Sequence, residues 1–302
     1  MTRTRSRSIW IPCLNPFIPD GGLDEDALRA HMRRFADVNA SVFVANEGTG
    51  ESFAMPDSEV RRVLEIAGEE LLGKVPVRAM GRMARTAREQ LEFVRMVKEV
   101  GGTDGIHIYT LDMGHGFRPS RREVDQYLNT VLGGIDMPIT LSLSFVLGWE
   151  YSVDLVAEMV ERFPNITGLI VTSESELYLD EVISAVGEQV EIHTVTWLAM
   201  TNLALGGDGF AGPEAVIAPT LSMKLMNDYA AGDYPSVEDA FGRLMKLTRL
   251  NRRFGTAGVK AAVRYLGHEA GDVREPRLSL HPEEVAIVEK IIDDAGIAVF
   301  EK

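Results

Sequence analysis

Short apolar runs alternate with amphipathic helical patterns along the first two-thirds of this chain, and this alternation restricts its fold more than any other feature. Most runs are bounded by glycine or proline, and the segments between them place apolar residues at helical spacing. Such alternation is typical of parallel strands that are connected by helices. The predicted strands are Ser8–Leu14, Ser41–Ala45, Val75–Met80, Gly105–Thr110, Pro138–Ser144, Gly168–Thr172, Val190–Thr196 and Asp208–Ala211.

A series of eight βα units closes more readily into a (β/α)8 barrel than into an open sheet. The last third of the chain carries helical patterns alone, over Thr220–Ala230, Ser236–Phe254, Ala257–Leu266 and His281–Asp294, without a linker. We therefore predict an α/β protein with a (β/α)8 TIM barrel over residues 1–219 and a C-terminal helical extension over residues 220–302. We expect the extension to pack on the barrel, so that the two form one structural unit.

The acidic balance of the chain excludes one large class of partner. Its 302 residues carry a formal net charge of −14, and no basic stripe is available to neutralise nucleic-acid phosphates. Cys13 is the single cysteine, which excludes an intramolecular disulfide framework and a Cys-x-x-Cys metal site. Neither a signal-peptide core nor an apolar run of bilayer-spanning length is present. We therefore expect a cytoplasmic protein that binds neither nucleic acid nor membranes.

The catalytic residues of such a barrel lie at the carboxyl-terminal ends of its strands. Polar side chains occur at several of these predicted ends. Glu47 follows the second strand, Tyr109 lies near the end of the fourth, and Ser142 lies on the fifth. Glu174 follows the sixth strand, and His193 lies on the seventh. We take these residues as candidate catalytic groups.

A glycine-rich loop, Gly48-Thr49-Gly50, follows the second predicted strand. Glycines at a strand end allow backbone N–H groups to converge on an anion, and the Thr49 hydroxyl can add a donor. The loop is therefore a candidate carboxylate-binding site. Glu47 precedes it, and its negative charge could either supply a general base or weaken carboxylate binding. Glu51, which follows the loop, is interpreted as a structural residue that ties it down.

His193 and Glu174 form a candidate general acid/base pair. A histidine that faces a carboxylate across the barrel mouth is suited to this chemistry. Strand alternation allows only one of His193 and Thr194 to face the barrel interior, and the sequence leaves open which one. His107, on the fourth predicted strand, is interpreted as a structural residue whose hydrogen bonds are satisfied.

A bound metal ion is an alternative way to polarise a carbonyl group in this barrel. The required side-chain types are present at dispersed positions, namely Glu47, Asp112, His115, Glu174 and His193. They have no compact spacing such as His-x-His, which a metal site read from sequence would need. We therefore expect no metal and no other cofactor.

Several short motifs occur in order along nearly the whole chain: Asn15–Phe17, Glu47–Glu51, Gly102–Gly105, Pro164–Gly168, Leu205–Gly209 and Val259–Ala262. In composition and spacing they resemble the dihydrodipicolinate synthase / N-acetylneuraminate lyase superfamily of pyruvate-handling aldolases. The resemblance implies the barrel fold and a glycine-rich loop that holds the carboxylate of a 2-oxo acid. It also implies a homotetramer assembled as a dimer of dimers.

The chain departs from the family pattern where the family places its chemistry. Family members form a Schiff base through a lysine on strand six, and that position falls on Ile170, which has no amine with which to form an imine. The family's proton-relay tyrosine on strand five falls on Ser142. No lysine occurs between Phe117 and Met223, so a shift of register would not restore the amine.

The sequence thus predicts a lyase-type enzyme that acts on a small 2-oxo acid or related carboxylate by general acid/base chemistry, without a lysine Schiff base. Elimination, hydration, decarboxylation and retro-aldol cleavage remain open as reaction types. A true dihydrodipicolinate synthase is not expected. The alternative is a catalytically silent subunit of the same family that binds a ligand or a partner chain, because the nucleophile and the relay are both missing while the glycine loop is kept.

Overall fold

A computed structural model of the protein describes residues 4–144 and 147–301. Each strand pairs in parallel with the next, and the last pairs with the first, so that the sheet forms a closed barrel. The predicted (β/α)8 fold is confirmed. The strands are β1 (Ser8–Pro12), β2 (Ser41–Val44), β3 (Val77–Ala79), β4 (Gly105–Ile108), β5 (Ile139–Ser144), β6 (Ile166–Thr172), β7 (Glu191–Thr194) and β8 (Gly209–Ala211).

Alternate residues of the strands point in opposite directions and form two separate apolar clusters. The larger cluster joins the outer face of the sheet to the helices and includes Ile9 and Leu169. The smaller one consists of Trp10, Phe43, Ile170 and Ala211, with Met80 packed against it. Because neighbours in sequence belong to different clusters, the smaller cluster lies inside the barrel.

Helices connect successive strands and cover the outer face of the sheet. Their ends carry the expected capping groups: the Asp24 side chain accepts from the Ala27 N–H at 3.0 Å, and Thr86 and Glu89 form a capping box. The helices between strands are α1 (Glu25–Asp37), α2 (Asp57–Leu71), α3 (Ala87–Val100), α4 (Arg121–Gly133), α5 (Val153–Arg162), α6 (Glu176–Val186) and α7 (Ala199–Ala204).

The C-terminal helices pack on the barrel, where α9 (Pro219–Ala231) contacts β1 and α10 (Tyr234–Tyr265) contacts α8 (Glu214–Ile217). Gly255 interrupts α10 with φ 55° and ψ −149°, at the point where the sequence pattern separates two helical segments. A positive φ of this kind favours glycine, so the break is encoded locally. The helices are α8 (Glu214–Ile217), α9 (Pro219–Ala231), α10 (Tyr234–Tyr265) and α11 (Pro282–Ala295).

The sequence patterns predict these elements well but overestimate the length of several strands and miss the two shortest helices. A strand ends where its residues no longer pair with a neighbouring strand, and the residues that flank β3 and β7 in the predicted ranges lie outside these pairings. The helices α7 and α8 are too short to show a helical period. Among the described residues, no helix is long and apolar enough to cross a membrane.

Candidate active site

The glycine-rich loop is fixed by hydrogen bonds from Asn46, which precedes it. The Asn46 amide donates to the Cys13 carbonyl at 2.7 Å, while its side-chain oxygen accepts from the Gly50 N–H at 3.0 Å. A Cβ on Gly50 would lie 2.7 Å from the Asn46 carbonyl oxygen, so only glycine fits there. Ala45 and Glu51, on either side of the loop, both have φ of 54°. Such strain in non-glycine residues persists only where the surroundings impose it.

Two backbone N–H groups of this loop are available to a ligand. Within the described part of the chain, neither the Gly48 nor the Thr49 N–H donates to a protein acceptor. The Gly50 N–H is occupied by Asn46. The Thr49 hydroxyl donates to the Pro12 carbonyl at 2.5 Å and so secures the loop to β1. It therefore does not supply the additional anion donor that the sequence predicts. The cradle therefore consists of two peptide groups.

Glu47 stands between the loop and the barrel mouth and is partly buried. One carboxylate oxygen, Oε1, accepts from the Met83 N–H at 2.8 Å. Burial raises the pKa of the Glu47 carboxyl, an effect that Arg82 and Arg277 oppose and Asp112 reinforces. A carboxyl group whose pKa lies closer to neutrality is a better proton acceptor and donor at physiological pH.

The Tyr109 hydroxyl meets Glu47 at the backbone, where it accepts from the Glu47 N–H at 3.3 Å. Its own proton has no acceptor among residues 4–144 and 147–301, so it can donate to a ligand. Burial raises the pKa of Tyr109 and keeps the hydroxyl protonated. The structure thus brings together two of the predicted catalytic residues, a carboxylate and a neutral hydroxyl donor, beside the two N–H groups of the loop.

Ser142 and Ile170 are paired in register on β5 and β6, and both are buried. Ile170 packs inside the barrel with Trp10 and Phe43, whose rings stack with centroids 4.5 Å apart. Apolar side chains therefore pack against Ile170. The Ser142 side chain provides a polar group beside this cluster.

The structure does not bring His193 and Glu174 together. His193 faces the barrel interior, where its Nε2 lies 2.9 Å from the Oγ of Ser8, the first residue of β1. Thr194 is the residue that faces the helices. Glu174 is exposed on the loop after β6, where it lines an open cleft of about 1310 Å³ beside Trp149. The two candidates of the expected pair therefore lie in different environments, since Glu174 is exposed and His193 is buried.

His107 lies inside the barrel, with its ring 5.3 Å from that of Phe43 and 4.9 Å from that of Tyr109. Both ring nitrogens are buried and neither has a hydrogen-bond partner among the described residues. The interpretation of His107 as a satisfied strand residue is therefore wrong, because its neighbours at that level are aromatic. Burial lowers the pKa of His107 to about 3, so the ring is neutral.

Glu51 is a structural residue, as the sequence analysis expects. Its Oε1 lies 2.7 Å from the Lys260 Nζ, and both side chains are buried. Its Oε2 accepts from the Arg274 N–H at 2.9 Å. Burial lowers the pKa of Lys260 to about 8, with Glu51 opposing the shift. The pair fastens the loop end to α10 and to the segment that follows it.

Three residues of the site region, Asn46, Arg277 and Glu214, were not predicted from the sequence. The Glu214 carboxyl is buried behind the ends of β7 and β8 and accepts from the Thr196 hydroxyl at 2.7 Å, and burial raises its pKa. Arg277 contacts Gly48 across 229 residues of sequence, a distance over which no local pattern indicates contact. Asn46 could have been predicted from the sequence, because it directly precedes the loop motif.

The dispersed metal-ligand candidates remain apart in the structure. Across residues 4–144 and 147–301, no group of three or more His, Cys, Asp or Glu side chains is placed to hold a metal ion. The Asp112 carboxylate accepts from the Gly114 N–H at 2.7 Å and lies 3.7 Å from the Arg85 guanidinium. The expectation that the protein uses no cofactor stays a prediction.

Comparison with known proteins gives one consistent result. The sequence model described as the Dihydrodipicolinate synthetase family matches residues 5–295. A 4-hydroxy-tetrahydrodipicolinate synthase of Methanothrix thermoacetophila is 25% identical over 292 residues, which cover 95% of this chain and 96% of that protein. An uncharacterized DapA-like lyase of Thermococcus kodakarensis is 27% identical over 290 residues, or 92% of this chain and 96% of that protein.

Solved structures have the same fold. The crystal structure of a putative dihydrodipicolinate synthetase from Pseudomonas aeruginosa superposes with a TM-score of 0.87 at 20% identity and covers 97% of this chain and 100% of that one. A prophage protein of E. coli, described as a dihydrodipicolinic acid synthase family member in complex with pyruvate, gives a TM-score of 0.88 at 21% identity, over 96% and 98% of the two chains. At these identities the likeness establishes the fold alone.

Proposed function

Because the chain belongs to the dihydrodipicolinate synthetase family, we propose that it is a lyase-type enzyme acting on a small 2-oxo acid or a related carboxylate. We propose further that it works by general acid/base chemistry without a lysine Schiff base. Relatives are named as synthases and lyases, and one solved relative is described with pyruvate bound. These names support the reaction class and the substrate class.

The observation that carries the proposal is the pairing of Glu47 with Tyr109 beside the free N–H groups of Gly48 and Thr49. A carboxylate with a raised pKa can accept a proton from carbon. A neutral hydroxyl can stabilise the oxyanion that results. The two N–H groups can hold the substrate carboxylate. Ser142, on the neighbouring side of the mouth, is proposed as an additional hydrogen-bonding group.

The reacting bond is the C–H bond next to the substrate's carbonyl group. When Glu47 accepts this proton, the electron pair of the C–H bond moves into a carbon–carbon double bond and the carbonyl oxygen becomes an oxyanion. Tyr109 donates its hydroxyl hydrogen bond to that oxygen. Glu47 then holds the proton for return to carbon or for delivery to a leaving group. His193 and Glu174 carry no step in this proposal, since His193 lies beside Ser8 and Glu174 is exposed on the loop after β6.

The absence of an imine rests on Ile170. An imine needs an amine nucleophile at the barrel mouth, and Ile170 provides only an alkyl group within an apolar cluster. Lys260 is held by Glu51 outside the barrel interior. We therefore propose that the chain is not a true dihydrodipicolinate synthase, and that polarisation by hydrogen bonds replaces covalent activation.

Proton NMR of pyruvate in deuterated buffer tests the proposal. The methyl signal should decay in the presence of wild-type protein, because enolisation exchanges methyl protons for deuterium. The same decay should persist with a chelator present, and Glu47→Gln should abolish it. Absence of exchange by the wild type would refute enolisation of pyruvate, and loss of exchange with chelator would show that a metal is required.

A silent ligand-binding or partner subunit is the second candidate. The observation that favours it is the apolar packing of Ile170 against Trp10 and Phe43, which leaves no amine at this position of strand six. Calorimetric binding of pyruvate without any exchange would support this reading, as would co-purification with a homologous chain that has a strand-six lysine. We also propose, by family analogy, that the protein is cytoplasmic and forms a homotetramer. Sedimentation velocity would test the tetramer.

A further inference from the structure

We infer that Arg277 is a positioning residue that aims the Gly48 and Thr49 N–H groups at the substrate carboxylate. The inference rests on the proposed function and names the device that shapes its binding site. Arg277 belongs to the segment between α10 and α11, far from the barrel in sequence. Arg277 is not part of the local sequence motif of the loop, because it reaches the loop only in the folded structure.

The guanidinium of Arg277 contacts two consecutive carbonyl groups of the loop. Its Nη1 donates to the Gly48 carbonyl at 2.6 Å, and its Nη2 donates to the Glu47 carbonyl at 3.2 Å. The Thr256 hydroxyl, from α10, also donates to the Gly48 carbonyl, at 3.2 Å. A planar guanidinium holds two acceptors in a fixed relation, which a lysine ammonium cannot do. Both peptide groups are thereby fixed in orientation.

The orientation of a carbonyl determines that of the N–H group in the same peptide. Neither of these two peptides is cis, so in each the N–H points opposite to the C=O. The Glu47 carbonyl faces Arg277, and hence the Gly48 N–H faces away from it. The Thr49 N–H faces away for the same reason. These are the two N–H groups of the glycine-rich loop for which the described part of the chain provides no acceptor.

Arg277 is itself held in place on several sides. Its guanidinium lies over the Phe53 ring, 4.8 Å from the ring centroid, and 3.7 Å from the Glu51 carboxylate. Its side chain is 31% exposed, so its charge is only partly screened by water. A cation so close to the loop also favours an anionic ligand there. Removing it should weaken carboxylate binding more than it weakens the fold.

A second consequence concerns Glu47. The charged and titratable groups that face its carboxyl are Arg82 after β3, Tyr109 and Asp112 after β4, and Arg277 from the C-terminal segment. Arg277 lowers the pKa of Glu47, against the effect of burial. Loss of Arg277 should therefore move the acidic limb of the pH–rate profile to higher pH. A residue that only supported the fold would leave that limb in place.

The experiment compares Arg277→Leu, Arg277→Lys and Arg253→Leu with the wild type. Arg253 is a matched control, since it lies over the Phe254 ring with a centroid distance of 4.7 Å and, among the described residues, makes no hydrogen bond or ion pair with the loop. Pyruvate binding by calorimetry should weaken about 10- to 100-fold in Arg277→Leu, less in Arg277→Lys, and not at all in Arg253→Leu. Where exchange is measured, KM should rise more than kcat falls.

Selective ¹⁵N-glycine and ¹⁵N-threonine labelling gives a direct readout that does not need turnover. The Gly48 and Thr49 amide signals should shift when pyruvate is added to the wild type, and in Arg277→Leu the same shifts should need about 10- to 100-fold more pyruvate. If the wild type binds pyruvate without exchanging it, the proposed chemistry fails while this inference stands. Equal affinity in Arg277→Leu and wild type overturns the inference, and a wild type that binds no pyruvate overturns both.

Discussion

Replacing Ile170 with lysine tests how completely the barrel interior excludes charge at the strand-six position. Ile170 is 7% exposed and packs with Trp10, Phe43 and Ala211, none of which carries a counter-charge for an ammonium group. Burial without a counter-charge should lower the pKa of the new lysine from about 10.4 to roughly 6. The unfolded chain would then bind a proton that the folded chain excludes.

The size of the effect follows from this difference in pKa. At pH 7 the lysine is protonated in the unfolded state, and about 1.36 kcal/mol for each pH unit below 10.4 gives a loss of roughly 4.5 kcal/mol in the free energy of unfolding. At pH 9 the same reasoning gives about 2 kcal/mol. Stability should thus rise with pH relative to the wild type, because the folded-state pKa is the lower of the two.

Urea unfolding of Ile170→Lys and Ile170→Met at several pH values measures this difference. Methionine has a similar length without the charge and should cost less than about 1.5 kcal/mol at any pH. The gap between the two variants should narrow as pH rises from about 7 to 9. A gap that does not change with pH would refute the reasoning, since it would mean that the lysine reaches water or a carboxylate.

Three further predictions concern the mouth. Tyr109→Phe removes the proposed oxyanion donor and should lower the pyruvate exchange rate about 100-fold or more, with a near-normal KM; an unchanged rate would remove Tyr109 from the mechanism. The wild-type exchange rate should fall as pH drops through the raised pKa of Glu47, because the carboxylate is the active form, and a rate profile that falls only at an ordinary carboxyl pKa would contradict this. Thr49→Val should lower the free energy of unfolding by about 1–3 kcal/mol by leaving the Pro12 carbonyl without its donor. Calorimetry on that variant should show pyruvate affinity within about twofold of wild type, whereas a larger loss would mean that the hydroxyl does contact the ligand.

Much of the scaffold could be predicted because its signals are local. Strand–helix alternation and the glycine break at Gly255 each lie within a short stretch of sequence, and each appears in the structure where the pattern places it. The loop Gly48–Gly50 was recognisable for the same reason. Its detailed chemistry was not, because the Thr49 hydroxyl could donate either to a ligand or to Pro12, and only the fold decides between them.

The site itself was predicted only in part. Glu47 and Tyr109 were both named, yet their contact depends on how β2 and β4 approach each other around the barrel. His193 and Glu174 are close to strand ends in sequence. In the structure His193 lies beside Ser8 inside the barrel, whereas Glu174 is exposed on the loop after β6. Arg277 gave no signal at all, because its role depends on a contact between distant parts of the chain.

The C-terminal segment that grips the glycine loop has a consequence for the order in which the protein matures. Thr256, Lys260, Arg274 and Arg277 all bond to Gly48 or its neighbours in the loop region, and all lie in the last fifth of the chain. Because synthesis runs from the N-terminus to the C-terminus, the loop is made early and the side chains that hold it are made late. During synthesis the barrel strands are therefore complete before the proposed carboxylate site, and a nascent chain that has already closed its sheet still lacks the side chains that hold the glycine loop in place.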